Sequence, residues 1–185
     1  MNLDHHLRLK EPETRTLFGV RGAHSIGYGD LLFLEHVLSS IPWRRIVELG
    51  TGSGLTTLYL GVAAELRGAE MFTFDIKRPG QQFMLAWPSC VRFAEADLMN
   101  GPPRVQNALG LYETLAIFDN GNKPNEVKYY VPYLGDKGAF LVHDWGSEIT
   151  MDDVEPVAHD HNFEPFAHDV AEMLCSKYRA WRKIE

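Results

Sequence analysis

The stretch Ile46 to Leu60, IVELGTGSGLTTLYL, sets Gly50, Gly52 and Gly54 between a short apolar run and a longer periodic one. A short run of this kind that meets alternating glycines reads as a buried strand entering a tight turn. Beyond the glycines, Leu55, Leu58, Tyr59, Val62, Ala63 and Leu66 recur at i, i+3, i+4, i+7, i+8 and i+11, the apolar stripe of a helix. Strand, glycine turn and helix in that order confine the chain to folds in which a parallel strand feeds a crossover helix.

The remaining sequence repeats this alternation. Asp30 opens DLLFLEHVLSSI, where Leu31, Leu34, Leu38 and Ile41 share a helix face and Pro42 stops it. MFTFD, VRFAEAD, TLAIFD and AFLVHD are β-rich runs that finish on Asp75, Asp97, Asp119 and Asp144. Val127, Tyr130, Val131 and Leu134 form a further helical stripe, and Met151 to His161 reads as helix. FEPFAH and KYRAWRKI read as a closing strand pair interrupted by a short helix. With 185 residues and 45% hydrophobic content, the chain is expected to form a single domain, residues 1–185, with 1–29 as an N-terminal arm.

No run approaches the length of a membrane span, and MNLDHHLRLKEPETR lacks a signal peptide's apolar centre, so a cytoplasmic protein without a membrane partner is expected. Cys90 and Cys175 stand apart, outside any metal or disulfide spacing. A formal charge of −7 argues against nucleic acid as a partner. The HDH at His159 to His161 reads as a solvated turn, because histidines two apart do not share a helix face.

Right-handed crossovers place the C-termini of parallel strands along one edge, where ligands bind. There the glycines let a ligand approach the backbone, and the following helix offers unpaired N–H groups. A dinucleotide fingerprint would need a glycine where Leu55 stands, and Glu48 would repel a pyrophosphate. No Gly-Lys-Ser/Thr follows, so a P-loop is excluded as well. An ammonium and a sulfonium in place of phosphates make Glu48 an asset, and S-adenosylmethionine carries both. Asp75, about twenty residues on, is placed to accept both ribose hydroxyls.

In ELGTGSG, FDI, EAD, LAIFDN and GAFLVHDW, taken in order, the chain resembles the class I S-adenosylmethionine-dependent methyltransferases from about Ile46 onward. The resemblance implies a Rossmann-like α/β sandwich, a mainly parallel seven-stranded sheet with helices on both faces and antiparallel last strands. It also implies that Glu48 and the backbone of Gly50, Thr51, Gly52 and Ser53 hold the methionine end, Asp75 the ribose and Ile76 the adenine face. Asp97 with Leu98 would meet the adenine edge, and Asp119 would lie near the methionine or a metal. Asp119 and Lys123, with HDW, look closest to the small catechol-type O-methyltransferases and their HDW-bearing bacterial relatives, but Trp145 stands where the catechol type has a metal-binding Asn.

In the strand order that the resemblance implies, the fourth and fifth strands are neighbours, so Asp119 and Asp144 should end about 5 Å apart, close enough to share Mg²⁺. They could equally serve as helix caps or bind cofactor or substrate directly. His143 and Asp144 should point to opposite faces of a regular strand, which keeps His143 off that ion unless the strand breaks. Lys123 is a candidate proton acceptor or a solvated lysine, and His143 a candidate base or a hydrogen-bonded histidine. Tyr28 and Trp145 are candidates to stack on a substrate ring. The expected function is methyl transfer from S-adenosylmethionine to a hydroxyl of a small molecule, with Asp119, Lys123, His143 and Asp144 carrying the chemistry and Mg²⁺ a candidate helper. The alternatives are metal-independent O- or N-transfer with His143 as base, a non-catalytic cofactor-binding module and, disfavoured by Leu55 and Glu48, a nicotinamide oxidoreductase. A homodimer is one option, since a partner could supply a substrate lid.

Overall fold

The computed structural model describes residues 27–79, 84 and 86–184, so most of the expected N-terminal arm lies outside the described residues. Strands β1 (Arg45–Leu49), β2 (Glu70–Asp75), β3 (Val91–Glu95), β4 (Thr114–Phe118), β5 (Ala139–Val142), β6 (Phe163–Phe166) and β7 (Arg179–Lys183) form one sheet. Their spatial order is β3, β2, β1, β4, β5, β7, β6. The first five pair in parallel, as crossover connections require. β7 enters between β5 and β6 and runs antiparallel to both, so β6 runs with the parallel set and β7 carries the reversal expected of the last strands.

Helices α1 (Tyr28–Ser40), α2 (Leu55–Arg67), α3 (Pro103–Leu109), α4 (Lys123–Tyr130), α5 (Met151–Asp160) and α6 (His168–Met173) cover both faces. Alternation along the strands divides the core. Ile46, Ile117 and Leu141 pack with Phe33 and Val37 of α1, Leu60 of α2 and Ala171 of α6. Their strand neighbours Val47, Phe118 and Val142 pack on the other face with Leu109 of α3, Val127 of α4 and Val154 of α5. The three-layer sandwich is therefore present, with helices on both faces of a mainly parallel sheet. Helix α3 was not evident in the sequence: it is seven residues long and opens on Pro103 directly after Pro102. Among the described residues no helix is long and apolar enough to cross a membrane.

Distant segments are tied together by Asp30, which is 5% exposed. Its carboxylate accepts the Ser176 hydroxyl at 2.8 Å and the Lys177 amide at 2.7 Å, and its second oxygen accepts the Gly27 amide at 3.0 Å. Asp30→Ala should leave these donors without partners, costing about 2–3 kcal/mol and lowering Tm by roughly 4–12 °C in thermal denaturation.

Candidate active site

The glycine turn lies where β1 and β4 end side by side. Leu49 O accepts the Asp119 amide and Phe74 O accepts the Gly50 amide, both at 2.8 Å. Gly50 has φ +100, and a Cβ there would collide with the Asp119 carbonyl and sit 2.6 Å from the Asn120 nitrogen. Gly54, with φ +83, faces the Trp87 indole at 2.8 Å from where its Cβ would be, and Trp87 Nε1 donates to the Gly54 carbonyl. Asp75, at the end of β2, accepts the Gly52 amide at 2.9 Å and so braces the turn from the side.

Glu48 does not reach the surface. It is fully buried on the α2 face of β1, where Thr57 and Thr73 each donate a hydroxyl to Oε2 at 2.6 Å. Thr73 also exchanges a hydrogen bond with Thr51 in the turn, at 2.6 Å. Oε1 has no partner, and burial pushes the carboxyl up to about 8 despite the two threonines. The side chain thus underpins the turn rather than lining the adjoining cavity.

That cavity, about 580 Å³, has the turn residues Gly50 to Ser53 on one wall and Asp119, His143 and Asp144 on the other. β5 ends at Val142 and Asp144 adopts φ +56, so the strand breaks. The break brings His143 and Asp144 to the same place, which the alternation of a regular strand would forbid. His143 Nδ1 lies 3.0 Å from Asp119 Oδ1 and 3.4 Å from Asp144 Oδ2. Its ring packs on Tyr178, with centroids 4.4 Å apart, and its Nε2 is buried without a partner.

Lys123 is not a solvated lysine. Its side chain is 3% exposed, with Nζ 3.0 Å from Asp144, 2.6 Å from Glu148 and 3.9 Å from Asp119. Burial pulls its pKa down, but the bonds to Glu148 and Asp144 and the charges of Asp119 and Asp144 raise it overall. It is therefore a held ammonium, and the role of proton acceptor does not suit it. The turn after Asp144, whose carbonyl accepts the Ser147 and Glu148 amides, delivers Glu148 to this cluster. For His143, burial likewise lowers the pKa, and Asp119, Asp144 and Asp30 outweigh it to give a net rise.

Asp119, His143 and Asp144 each present a ligand atom within 4.8 Å of the others. Separations of 3.0 and 3.4 Å approach the edge of an octahedron with ~2.1 Å bonds, about 3 Å. The donor set fits a divalent cation, provided Lys123 gives up its bond to Asp144. An imidazole beside two carboxylates suits a first-row ion such as Mn²⁺ at least as well as Mg²⁺.

The other expected residues lie farther along the same edge. Ile76 is 63% exposed beside the end of β2. Asp97 is exposed and accepts the Met99 amide at 3.1 Å, capping the 3₁₀ turn Leu98–Asn100, whereas the Leu98 side chain is buried in the core. Trp145 packs against Trp181, at 5.6 Å between centroids, and beneath Arg179, and it does not line the cavity. The Tyr28 side chain lies outside the described residues. Sequence reasoning missed Glu148, Asn120 and Lys177, all on the cavity wall. Asn120 was reachable as the neighbour of a strand-end aspartate, but nothing in the sequence marks Glu148.

No protein-family model and no curated protein sequence matches the chain. Solved structures do. The S-adenosylmethionine-dependent O-methyltransferase of Thermotoga maritima superposes with a TM-score of 0.64 at 13% identity, covering 91% of this chain and 70% of that one. The O-methyltransferase TomG of Streptomyces achromogenes, in complex with S-adenosylmethionine, gives 0.56 at 12% identity over 99% and 89%. The cyclase SpnF gives 0.56 at 13% identity over 97% and 94%. The chain has the fold of the class I S-adenosylmethionine-dependent methyltransferases, and its similarity to these proteins is a similarity of fold.

The buried Glu48 has a pH signature. Because its folded pKa lies above its ordinary value of 4.5, the folded chain keeps a proton that the unfolded chain releases between pH 4.5 and about 8. Its contribution to stability is full below that window and is lost as pH rises through it. Glu48→Gln should flatten this decline, so that the variant's Tm gains on wild type between about pH 5 and about pH 8 in thermal melts.

Proposed function

We propose that the chain is a methyltransferase that moves the methyl group of S-adenosylmethionine to a hydroxyl oxygen of a small molecule. The observation that carries this reading is the sharing of one cavity, at the C-terminal edge of a methyltransferase-type sheet, by the Gly50–Ser53 turn and the Asp119, His143 and Asp144 cluster. The cofactor supplies an electrophilic methyl on a sulfonium. Asp119, Asp144 and Glu148 carry three negative charges against the two ammoniums of Lys123 and Lys177, and the remaining negative charge favours a cation over a phosphate. In this reading Asp75, whose carboxylate accepts the Gly52 amide at 2.9 Å beside the turn, would take the ribose hydroxyls.

Transfer forms an oxygen–carbon bond as the carbon–sulfur bond breaks, and the hydroxyl proton must leave. The chain contributes alignment of nucleophile and methyl, together with a group that handles that proton. The donor geometry favours a divalent cation held by Asp119, His143 and Asp144, which would lower the hydroxyl's pKa and fix its position. Lys123 neutralises Glu148 and limits the net charge of the cluster. A second reading is metal-independent transfer, in which His143, whose Nδ1 faces the cluster and is oriented by Asp119, takes the proton.

Calorimetric titration with S-adenosylhomocysteine should give micromolar binding, weakened at least about tenfold in Asp75→Ala. Absence of binding to wild type would remove the proposal. With an accepted hydroxyl substrate, loss of turnover in EDTA and its return with Mn²⁺ or Mg²⁺ is expected, whereas turnover that survives EDTA and is lost in His143→Ala favours the second reading.

A further inference from the structure

Two lysines line the cavity, and they are held in opposite ways. The Lys123 side chain is 3% exposed and is committed to Asp119, Asp144 and Glu148. Lys177, just ahead of β7, is fixed through its backbone instead. Its amide donates to the Asp30 carboxylate at 2.7 Å, and its carbonyl accepts the Trp145 amide at 2.9 Å. The residue is exposed, and among the described residues its ammonium makes no hydrogen bond or ion pair. Its charge nevertheless reaches the cluster. Burial raises the Asp144 pKa, and the Lys123 bond with the charges of His143, Lys123 and Lys177 outweighs it, so that Asp144 is held low.

Three carboxylates and two ammoniums give the cavity wall one net negative charge. The ligands of the proposed reaction reverse that sign. A divalent cation at Asp119, His143 and Asp144 adds two positive charges, and S-adenosylmethionine, with its ammonium, carboxylate and sulfonium, adds one more. A concave site focuses such a surplus onto whatever enters last, which here is the acceptor. A neutral acceptor would leave the surplus standing, whereas an anionic group on the acceptor would offset it and give Lys177 a counter-ion. The flexible stem of a lysine meets such a group as a point charge, without requiring one fixed angle.

We infer that the acceptor is a hydroxyl compound that carries a carboxylate, and that Lys177 is the specificity residue that pairs with this carboxylate while the hydroxyl meets the Asp119, His143 and Asp144 cluster. The inference rests on the methyltransferase reading above and names the class of acceptor for its site.

The test first confirms that the full chain binds S-adenosylhomocysteine, then titrates the chain saturated with that ligand and Mn²⁺ by calorimetry. The probes are matched pairs that differ in charge: salicylate and salicylamide, 3,4-dihydroxybenzoate and 3,4-dihydroxybenzamide, lactate and lactamide. In at least one pair wild type should bind the acid at least about fivefold more tightly than the amide. Lys177→Gln should cut that ratio by about threefold to fivefold, the worth of an ion pair at a solvent-accessible position, and Lys177→Arg should keep it. Both variants retain the backbone bonds of position 177 and should melt near wild type. Equal binding of acid and amide in every pair, binding of no acid, or a ratio that Lys177→Gln leaves unchanged overturns the inference while the cofactor reading stands. Failure of wild type to bind S-adenosylhomocysteine overturns that reading, and this inference with it.

Discussion

The seam between β1 and β4 is the constraint on which the site depends. Parallel pairing from Arg45 with Thr114 to Leu49 with Phe118 brings two strand ends level, and the chain leaves them in different directions. The glycine turn passes so close to the Asp119 carbonyl that position 50 has no room for a side chain. This contact sets the backbone of the glycine turn and the Asp119 carboxylate on one cavity instead of on separate surfaces. Below the seam, Glu48 and its threonines form a polar layer inside an apolar core. Burial keeps that carboxyl protonated through much of the neutral range, so the layer adds little charge beneath a cavity already rich in carboxylates.

The strands and their order of appearance were legible because alternation and β-rich composition are local properties, and Asp75, Asp97, Asp119 and Asp144 mark their ends. The stripe on α2 was legible for the same reason, and Leu58, Tyr59, Val62 and Ala63 are buried as it predicts. The insertion of β7 between β5 and β6 was not, since nothing local to Arg179–Lys183 says which neighbour it will choose. His143 illustrates a deeper limit. Strand alternation separates it from Asp144, and only a left-handed residue just past the strand end, a product of the turn to Glu148, unites them. Thr73 could have been noticed as a hydroxyl inside MFTFD, an otherwise apolar run ending in aspartate, and therefore as the partner of something buried. Glu148 could not, because only the turn after Asp144 carries it to Lys123.

Lys123 joins the electrostatics of the site to its shape. Placed at the first residue of α4 and buried, it holds the ends of β4, of β5 and of the following turn through Asp119, Asp144 and Glu148. Burying a charge is tolerable only with close counter-charges. The same contacts that compensate its desolvation fix the carboxylates that a substrate or cation would meet. Any ligand that draws Asp144 away must therefore leave Lys123 supported by Glu148, which is half exposed and free to follow.

The left-handed backbone at Asp144 limits how this position can vary. Glycine, asparagine and aspartate are the residues that adopt that region readily, and of these only aspartate carries a charge. Backbone handedness and the need for a counter-charge beside the buried Lys123 thus select the same residue independently. A glutamate, though it preserves the carboxylate, would bear the conformational cost and would set its oxygens one methylene deeper in the cavity. Drift at this site toward asparagine or glycine would keep the turn and discard the charge, leaving a chain with an intact fold and an altered cavity.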